Sequence, residues 1–210
     1  MIRVILVDDH QLVRRGVRET LIEAGGFEIV GEAAGYAELR ELLRTVQADV
    51  VVLDINLPGR SGLEILKSLD EAGSRMRVVM LSQYPEDQYG VRALKAGAMA
   101  YLNKTSTPET IVEALRMVAT GRKFVTREIA HALMESVTGR HDDEPHQALS
   151  ERERQTMMLI ASGKRLSEIA EALALSPKTV SVYRARVLEK LGLATNAELA
   201  AYAVRNRLID

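Results

Sequence analysis

At 210 residues the chain exceeds the usual size of one domain, and 47% hydrophobic with 27% charged residues is ordinary for a soluble globular protein. It contains no cysteine, which excludes a disulfide scaffold and a thiolate metal site and fits a reducing compartment. The opening run Met1-Ile2-Arg3-Val4-Ile5-Leu6-Val7-Asp8 is too short for a signal peptide, and no apolar stretch nears the roughly 18–20 residues that span a bilayer, so a cytoplasmic protein with no membrane partner is expected.

Residues 2–7 form an apolar, β-branched run, as expected for a strand buried on both faces, and similar runs recur at 28–33, 49–53, 77–81 and 99–102. Segments of helical period lie between them: Leu12, Val13, Val17, Thr20 and Leu21 share one face, as do Leu63, Ile65, Leu66 and Leu69. Ser106-Thr107-Pro108-Glu109 opens a fifth helix as a capping box with proline at its first position. Five strands alternating with five helices predict an α/β fold with a five-stranded parallel, doubly wound sheet over residues 1–120. Residues 121–148 are predicted to hold a short helix at 126–137 and then a polar linker. Residues 149–210 are predicted to form a small all-α module of four helices. Ser150-Glu151-Arg152-Glu153 caps the first, the second runs over 166–174, Ser176-Pro177 starts the third, and Asn196 caps a fourth reaching Arg207. The overall charge of −1 is unevenly spread: residues 1–120 carry −3, 121–148 carry −1 and 149–210 carry +3. Such a local basic surplus is a weak nucleic-acid signal.

In a doubly wound sheet, ligands bind beyond the carboxyl ends of the strands, where strand order reverses. Asp8 and Asp9 follow the first strand, Asp54 the third, Ser82 ends the fourth and Lys104 lies just past the fifth. Three neighbouring carboxylates raise one another's pKa unless a cation neutralises them, and oxygen-only ligation with open positions suits Mg²⁺. Pro58-Gly59 turns the chain after Asp54, which brings a backbone carbonyl near the same edge. A carboxylate nucleophile with a divalent cation, a lysine and a hydroxyl donor can accept a phosphoryl group. Acids at strand ends are often just solvated loop residues, but five residues at five appropriate strand ends argue against that reading.

The stretches Val7-Asp8-Asp9-His10, Leu53-Asp54-Ile55-Asn56-Leu57-Pro58-Gly59, Ser82 and Lys104 resemble the receiver signature of two-component response regulators, a flavodoxin-like fold. The resemblance implies Asp54 as phosphoacceptor, Mg²⁺ held by Asp8, Asp9, Asp54 and the backbone carbonyl of Asn56, and Lys104 as the phosphate-facing lysine. It further implies Ser82 and Tyr101 as switch residues and a histidine kinase as phosphodonor. One departure is that Lys104 is followed by Thr105, where many receivers have proline, so the geometry of this peptide bond stays open.

On a helical wheel, Val180, Tyr183, Val187 and Leu191 of the third C-terminal helix share the inward face. Lys178, Ser181, Val182, Ala185 and Glu189 share the opposite face; Arg186 lies beside it and Arg184 flanks the core face. A small outward face edged by cations suits entry into the major groove of double-stranded DNA, with phosphate contacts from the flanking cations and from the Thr179 and Tyr183 hydroxyls. The segments 149–153, 166–170, 176–180 and Lys190-Leu191-Gly192 resemble the LuxR-type helix-turn-helix. Together with the receiver they resemble the NarL/FixJ class over essentially the whole chain. That resemblance implies a DNA-binding transcription regulator rather than an enzyme, with Lys178, Thr179, Ser181, Val182, Tyr183, Arg184, Ala185, Arg186 and Lys190 about the DNA. It also implies a homodimer when phosphorylated, paired through the fourth helix, where Ala197, Ala200, Ala201 and Val204 suit a close contact.

Two rivals are weaker. An aspartyl-phosphate phosphohydrolase of the haloacid-dehalogenase kind places Asp-x-Asp after its first strand, whereas this chain has adjacent Asp8-Asp9 there. A flavin carrier would need a hydroxyl-rich phosphate loop and ring-stacking aromatics that are missing after these strands. His10, His141 and His146 are assigned no metal site: His10 belongs to the loop after the paired acids, and the others fall in the linker.

Overall fold

The computed structural model describes residues 1–71, 76–137, 145–206 and 208–209. The chain divides into two compact units, Met1–Met134 and Glu135–Asp210.

The first unit is built on strands β1 (Ile2–Val7), β2 (Phe27–Ala33), β3 (Val50–Leu53), β4 (Arg77–Ser82) and β5 (Ala100–Asn103). They alternate with helices α1 (Gln11–Ala24), α2 (Tyr36–Thr45), α3 (Gly62–Glu71), α4 (Glu86–Lys95) and α5 (Pro108–Ala119). All pairings are parallel, in the order β2-β1-β3-β4-β5. Successive strand residues point to opposite faces, so the buried runs split into two cores. Ile5, Val7, Val51, Leu53, Val78, Met80 and Tyr101 pack against Leu39 of α2, Leu63 and Leu66 of α3 and Tyr89 of α4. Val4, Leu6, Val50, Val52, Val79, Leu81 and Leu102 pack against Val17 and Leu21 of α1 and Ile111 and Leu115 of α5. Burying an aliphatic side chain of this size stabilises by about 1.5–3 kcal/mol, so the sheet is held from both sides. Because β1 lies between β2 and β3, chain direction across the sheet reverses there, and a crevice opens between their carboxyl ends.

The β3–α3 loop is folded tightly back on β3. The Gly62 N–H donates to the Ile55 carbonyl at 2.8 Å, and a Cβ on Gly62 would lie 2.0 Å from the Asp54 carbonyl oxygen. Only glycine permits that approach. Ser61 and Glu64 form a reciprocal cap at the start of α3, the Glu64 N–H donating to Ser61 Oγ at 3.2 Å and the Ser61 N–H to Glu64 Oε2 at 3.0 Å.

Helix α6 (Arg127–Val137) begins on the first unit, where Ile129 is fully buried against the α4 side of the sheet. The second unit comprises a 3₁₀ turn (Pro145–Ala148) and helices α7 (Glu151–Ala161), α8 (Leu166–Ala172), α9 (Pro177–Leu191) and α10 (Asn196–Arg205). Its core gathers Met157, Ile160, Ile169, Leu173, Val180, Val187, Leu191 and Leu199. The Ser150–Glu153 capping box and the Ser176 cap form as expected. Two other caps differ by one residue. Thr107, not Ser106, caps α5, because Pro108 at the first helical position forces the residue before it into extended backbone. Thr195, not Asn196, caps α10 and accepts from the Glu198 N–H at 3.1 Å. Arg207 and residues 138–144 of the expected linker lie outside the described residues.

Candidate functional site

At the crevice, backbone bonds set the acids in place before any side chain is considered. The Asp54 N–H donates to the Val7 carbonyl at 2.9 Å and the Asp8 N–H to the Ala33 carbonyl at 3.1 Å, so both acids prolong the sheet ladder. On the other flank the Lys104 N–H donates to the Ser82 carbonyl at 2.8 Å. Lys104 thereby reaches across the strand ends, its Nζ 2.6 Å from Asp8 Oδ2 and 2.7 Å from Asp54 Oδ2. Asp54 is 2% exposed, and its second oxygen, Oδ1, is buried with no hydrogen-bond partner. Burial pushes the Asp54 carboxyl above the usual carboxylate range; Lys104 opposes that shift and the Asp8 charge adds to it. For Lys104, burial lowers the pKa, but the Asp54 and Asp8 carboxylates outweigh it and hold the ammonium above its ordinary value.

One ligand atom each from Asp8, Asp9, His10 and Asp54 can be chosen so that all lie within 4.8 Å of one another. Sequence reasoning left His10 out of this group, but its Nδ1 is 2.8 Å from Asp9 Oδ1 and 3.2 Å from Asp8 Oδ1. Its backbone N–H also donates to Asp8 Oδ1 at 2.8 Å, which folds the ring over the acids. Arg14 was missed as well. It donates from Nη1 to the Asp8 carbonyl and from Nε to Glu32 Oε2 at 3.2 Å, strapping the Asp8 backbone to the end of β2. The usable signal was positional: Arg14 falls on the first turn of α1 beyond the acids. Asn56 is half-buried in the β3–α3 loop, two residues past Asp54.

The predicted switch residues sit at adjacent strand ends. Ser82 is fully buried at the end of β4, and its Oγ accepts a long bond from the Tyr84 N–H, 3.4 Å. Tyr101 is fully buried within β5, and its hydroxyl donates to the Tyr84 carbonyl at 2.9 Å. Asn103 Nδ2 donates to the same carbonyl at 3.1 Å. No described peptide bond is cis, so Lys104–Thr105 is trans; Asn103 Oδ1 holds Thr105 through its N–H at 2.9 Å and its hydroxyl at 2.7 Å.

On the second unit, Val180 and Val187 of α9 are fully buried, while Lys178, Ser181, Val182, Ala185, Arg186 and Glu189 are exposed. Thr179, Tyr183 and Arg184 are half-buried at the margins. Arg184 Nε donates to Asn196 Oδ1 at 2.6 Å, and Thr179 lies 2.8 Å from the Ser176 hydroxyl within the cap. Lys190 Nζ is 2.7 Å from Glu153 Oε2, the carboxylate of the α7 capping box. Burial pushes the Glu153 carboxyl up, but Lys190 and the Ser150 backbone outweigh it and hold it below the usual range. His146, expected to be a linker residue without preorganised partners, is instead buried, its Nδ1 3.0 Å from the Tyr202 hydroxyl. The partner lies 56 residues further along the chain, with no local pattern to reveal it; His141 lies outside the described residues.

A phosphoacceptor-type pocket on a doubly wound sheet, joined to a helical module with an exposed basic-edged helix, defines a receiver coupled to a helix-turn-helix. Residues 4–116 match the response regulator receiver domain, and residues 147–203 match the bacterial regulatory proteins of the luxR family. The chain belongs to the response regulators that combine these two domains, a family of transcription regulators. It is 37% identical to response regulator GacA of Pseudomonas aeruginosa, over 100% of this chain and 99% of that one. It is also 37% identical to response regulator UvrY of Escherichia coli K12, over 100% and 97% of the two chains. Among solved structures, the RcsB response regulator of Salmonella typhimurium superposes with a TM-score of 0.61 at 25% identity, covering 98% of this chain and 100% of that one.

The upward shift at Asp54 has a consequence for stability. Its carboxyl is raised in the folded chain even with Lys104 counted, so its favourable contribution is present below the ordinary carboxylate pKa and is lost as pH rises through the folded value. Asp54→Asn should therefore raise the urea midpoint of the sheet-containing unit at pH 7 in the presence of a chelator. The gain should disappear below the ordinary carboxylate range, and an unchanged or lower midpoint at pH 7 would rule out a burial cost at Asp54.

Proposed function

We propose that Asp54 is the phosphoacceptor of this regulator and that a partner histidine kinase supplies the phosphoryl group. The observation that carries this reading is the asymmetry of the Asp54 carboxylate: Oδ2 is held by Lys104, while the buried Oδ1 has no hydrogen-bond partner. A carboxylate so held attacks phosphorus in line as the P–N bond of the donor phosphohistidine, protonated on its other ring nitrogen, breaks, leaving an acyl phosphate on Asp54 and a neutral imidazole on the kinase. Lys104 offsets the charge on the phosphoryl oxygens, and the Ser82 hydroxyl is available as a donor to one of them.

The acidic group fits Mg²⁺. Asp8, Asp9 and Asp54 offer hard oxygen ligands, Asn56 lies in the loop that adds a backbone carbonyl, and the orphaned Asp54 oxygen lacks a partner that a cation would supply. When bound, Mg²⁺ supplies the positive charge that lets the carboxylates and an incoming phosphoryl group share one crevice.

For DNA, we assign α9 to the major groove of a duplex. The exposed Ser181, Val182 and Ala185 are small enough to let the helix backbone approach base edges, while Lys178 and Arg186 flank them toward phosphates. Thr179, Tyr183 and Arg184 lie at the edge of that surface, and Lys190 is already engaged by Glu153. On α10, Ala197, Ala201 and Val204 are exposed and Ala200 is half-buried, which suits pairing with a second copy in the phosphorylated form. No described helix is long and apolar enough to cross a membrane, and a cytoplasmic location follows from the proposed role.

A small-molecule phosphodonor with Mg²⁺ should label the wild-type chain and leave Asp54→Asn unlabelled; label retained by the variant would move the nucleophile elsewhere. Lys178→Ala should weaken binding to every duplex sequence by a similar factor and reduce the salt slope by about one phosphate contact. Unchanged binding to a genuine target would remove Lys178 from the contact set.

A further inference from the structure

Glu86, the first residue of α4, belongs to neither the acidic pocket nor the DNA surface, yet its carboxylate has two partners on different elements. Oε1 accepts from the backbone N–H of Asn103 at 2.9 Å, at the last residue of β5 and directly before Lys104. Oε2 accepts from the hydroxyl of Thr126, which also caps α6 by accepting from the Ile129 N–H at 3.4 Å. One turn further along α4, Gly90 is buried, and a Cβ there would lie 2.5 Å from Ile129 Cγ1. The missing side chain at Gly90 is the seat for the fully buried Ile129. Helix α6 is thus fastened to α4 at two levels, one polar and one apolar.

The polar fastening is tied to the pocket through residues 83–85. Tyr84 is held by its N–H on Ser82 Oγ, and by its carbonyl on the Tyr101 hydroxyl and Asn103 Nδ2. Its ring stacks on Tyr89 of α4, with centroids 4.6 Å apart. Glu86 follows two residues later, so the position of this loop sets the position of the carboxylate that holds Thr126.

We propose that Glu86 is the residue through which the phosphoacceptor pocket controls the docking of α6, the helix that leads toward the DNA-binding unit. The proposal rests on Asp54 being the phosphoacceptor. A phosphoryl group there offers the Ser82 O–H an acceptor and fixes its rotamer. The Oγ lone pairs are then left facing the Tyr84 N–H, whose bond is long at 3.4 Å. The loop gains a fixed point, Glu86 is steadied against Asn103 and Thr126, and α6 is bound more firmly to α4.

Amide hydrogen exchange of α6 in the full-length chain tests this, with and without beryllofluoride and Mg²⁺ as a phosphoryl mimic. In the wild type, α6 amides between Ile129 and Leu133 should exchange more slowly when the mimic is present. Glu86→Ala should speed their exchange about tenfold or more, as expected when hydrogen bonds to a charged group are lost, and should make it insensitive to the mimic. Thr126→Val, a smaller change, should do the same in weaker form, and Thr126→Ser should restore wild-type behaviour. Labelling of Asp54 by a small phosphodonor should persist in all three variants. Wild-type exchange that is unchanged or faster with the mimic, or wild-type-like exchange in Glu86→Ala and Thr126→Val, would overturn the proposal. Loss of labelling in Asp54→Asn together with a wild-type α6 that is insensitive to the mimic separates its failure from that of the phosphoacceptor reading, which fails only if Asp54→Asn keeps its label.

Discussion

Lys104 lies between two carboxylates, 2.6 Å from Asp8 and 2.7 Å from Asp54, and this buried ion cluster constrains everything built around it. Two acids at the ends of neighbouring strands repel each other, and burial raises the cost of ionising Asp54. The lysine offsets that cost only in part: it covers one oxygen of Asp54 and leaves the other without a hydrogen bond. The pocket is therefore held in an incomplete state, stable enough to fold yet short of positive charge. A cation and a phosphoryl group are the additions that such a site accommodates.

The surrounding backbone keeps that state from relaxing. Asp54 and Asp8 are pinned through their own N–H groups to β1 and β2, and Gly62 packs so closely against the Asp54 carbonyl that the loop cannot slide. Residues 83–86 collect the bonds of Ser82, Tyr101 and Asn103 and pass their position to α6. The first unit thus has a rigid floor, made by the sheet, and a movable rim, made by a few side-chain hydrogen bonds. A rim of that kind can change arrangement for a small free-energy difference, which is what a switch requires.

The pocket was legible because strand ends in a parallel sheet are fixed by apolar runs. If 2–7, 49–53 and 77–81 are neighbouring strands of a parallel sheet, Asp8, Asp54 and Ser82 share one edge, and the structure has them as neighbours within a residue of the expected bounds. The helix-turn-helix was legible for a similar reason, through the Ser150 and Ser176 caps and the wheel of α9. What sequence could not supply were contacts between residues distant in the chain with no shared period. Glu86 with Asn103 and Thr126, Arg14 with Glu32, and His146 with Tyr202 all depend on three-dimensional packing. His10 was set aside because a histidine after two acids has an ordinary loop reading; only the distance to Asp9 shows it over the acids. The Ser61–Glu64 cap has a readable sequence pattern and was overlooked in favour of the Pro58-Gly59 turn.

Fluorine NMR of beryllofluoride added to the full-length chain tests the central claim most directly, because the adduct forms only where a carboxylate, a cation and a lysine converge. The account predicts a bound fluorine resonance that requires Mg²⁺, is absent in Asp54→Asn and is weakened in Asp9→Ala. The same resonance in Asp54→Asn, or in the wild type with Mg²⁺ chelated, would contradict it.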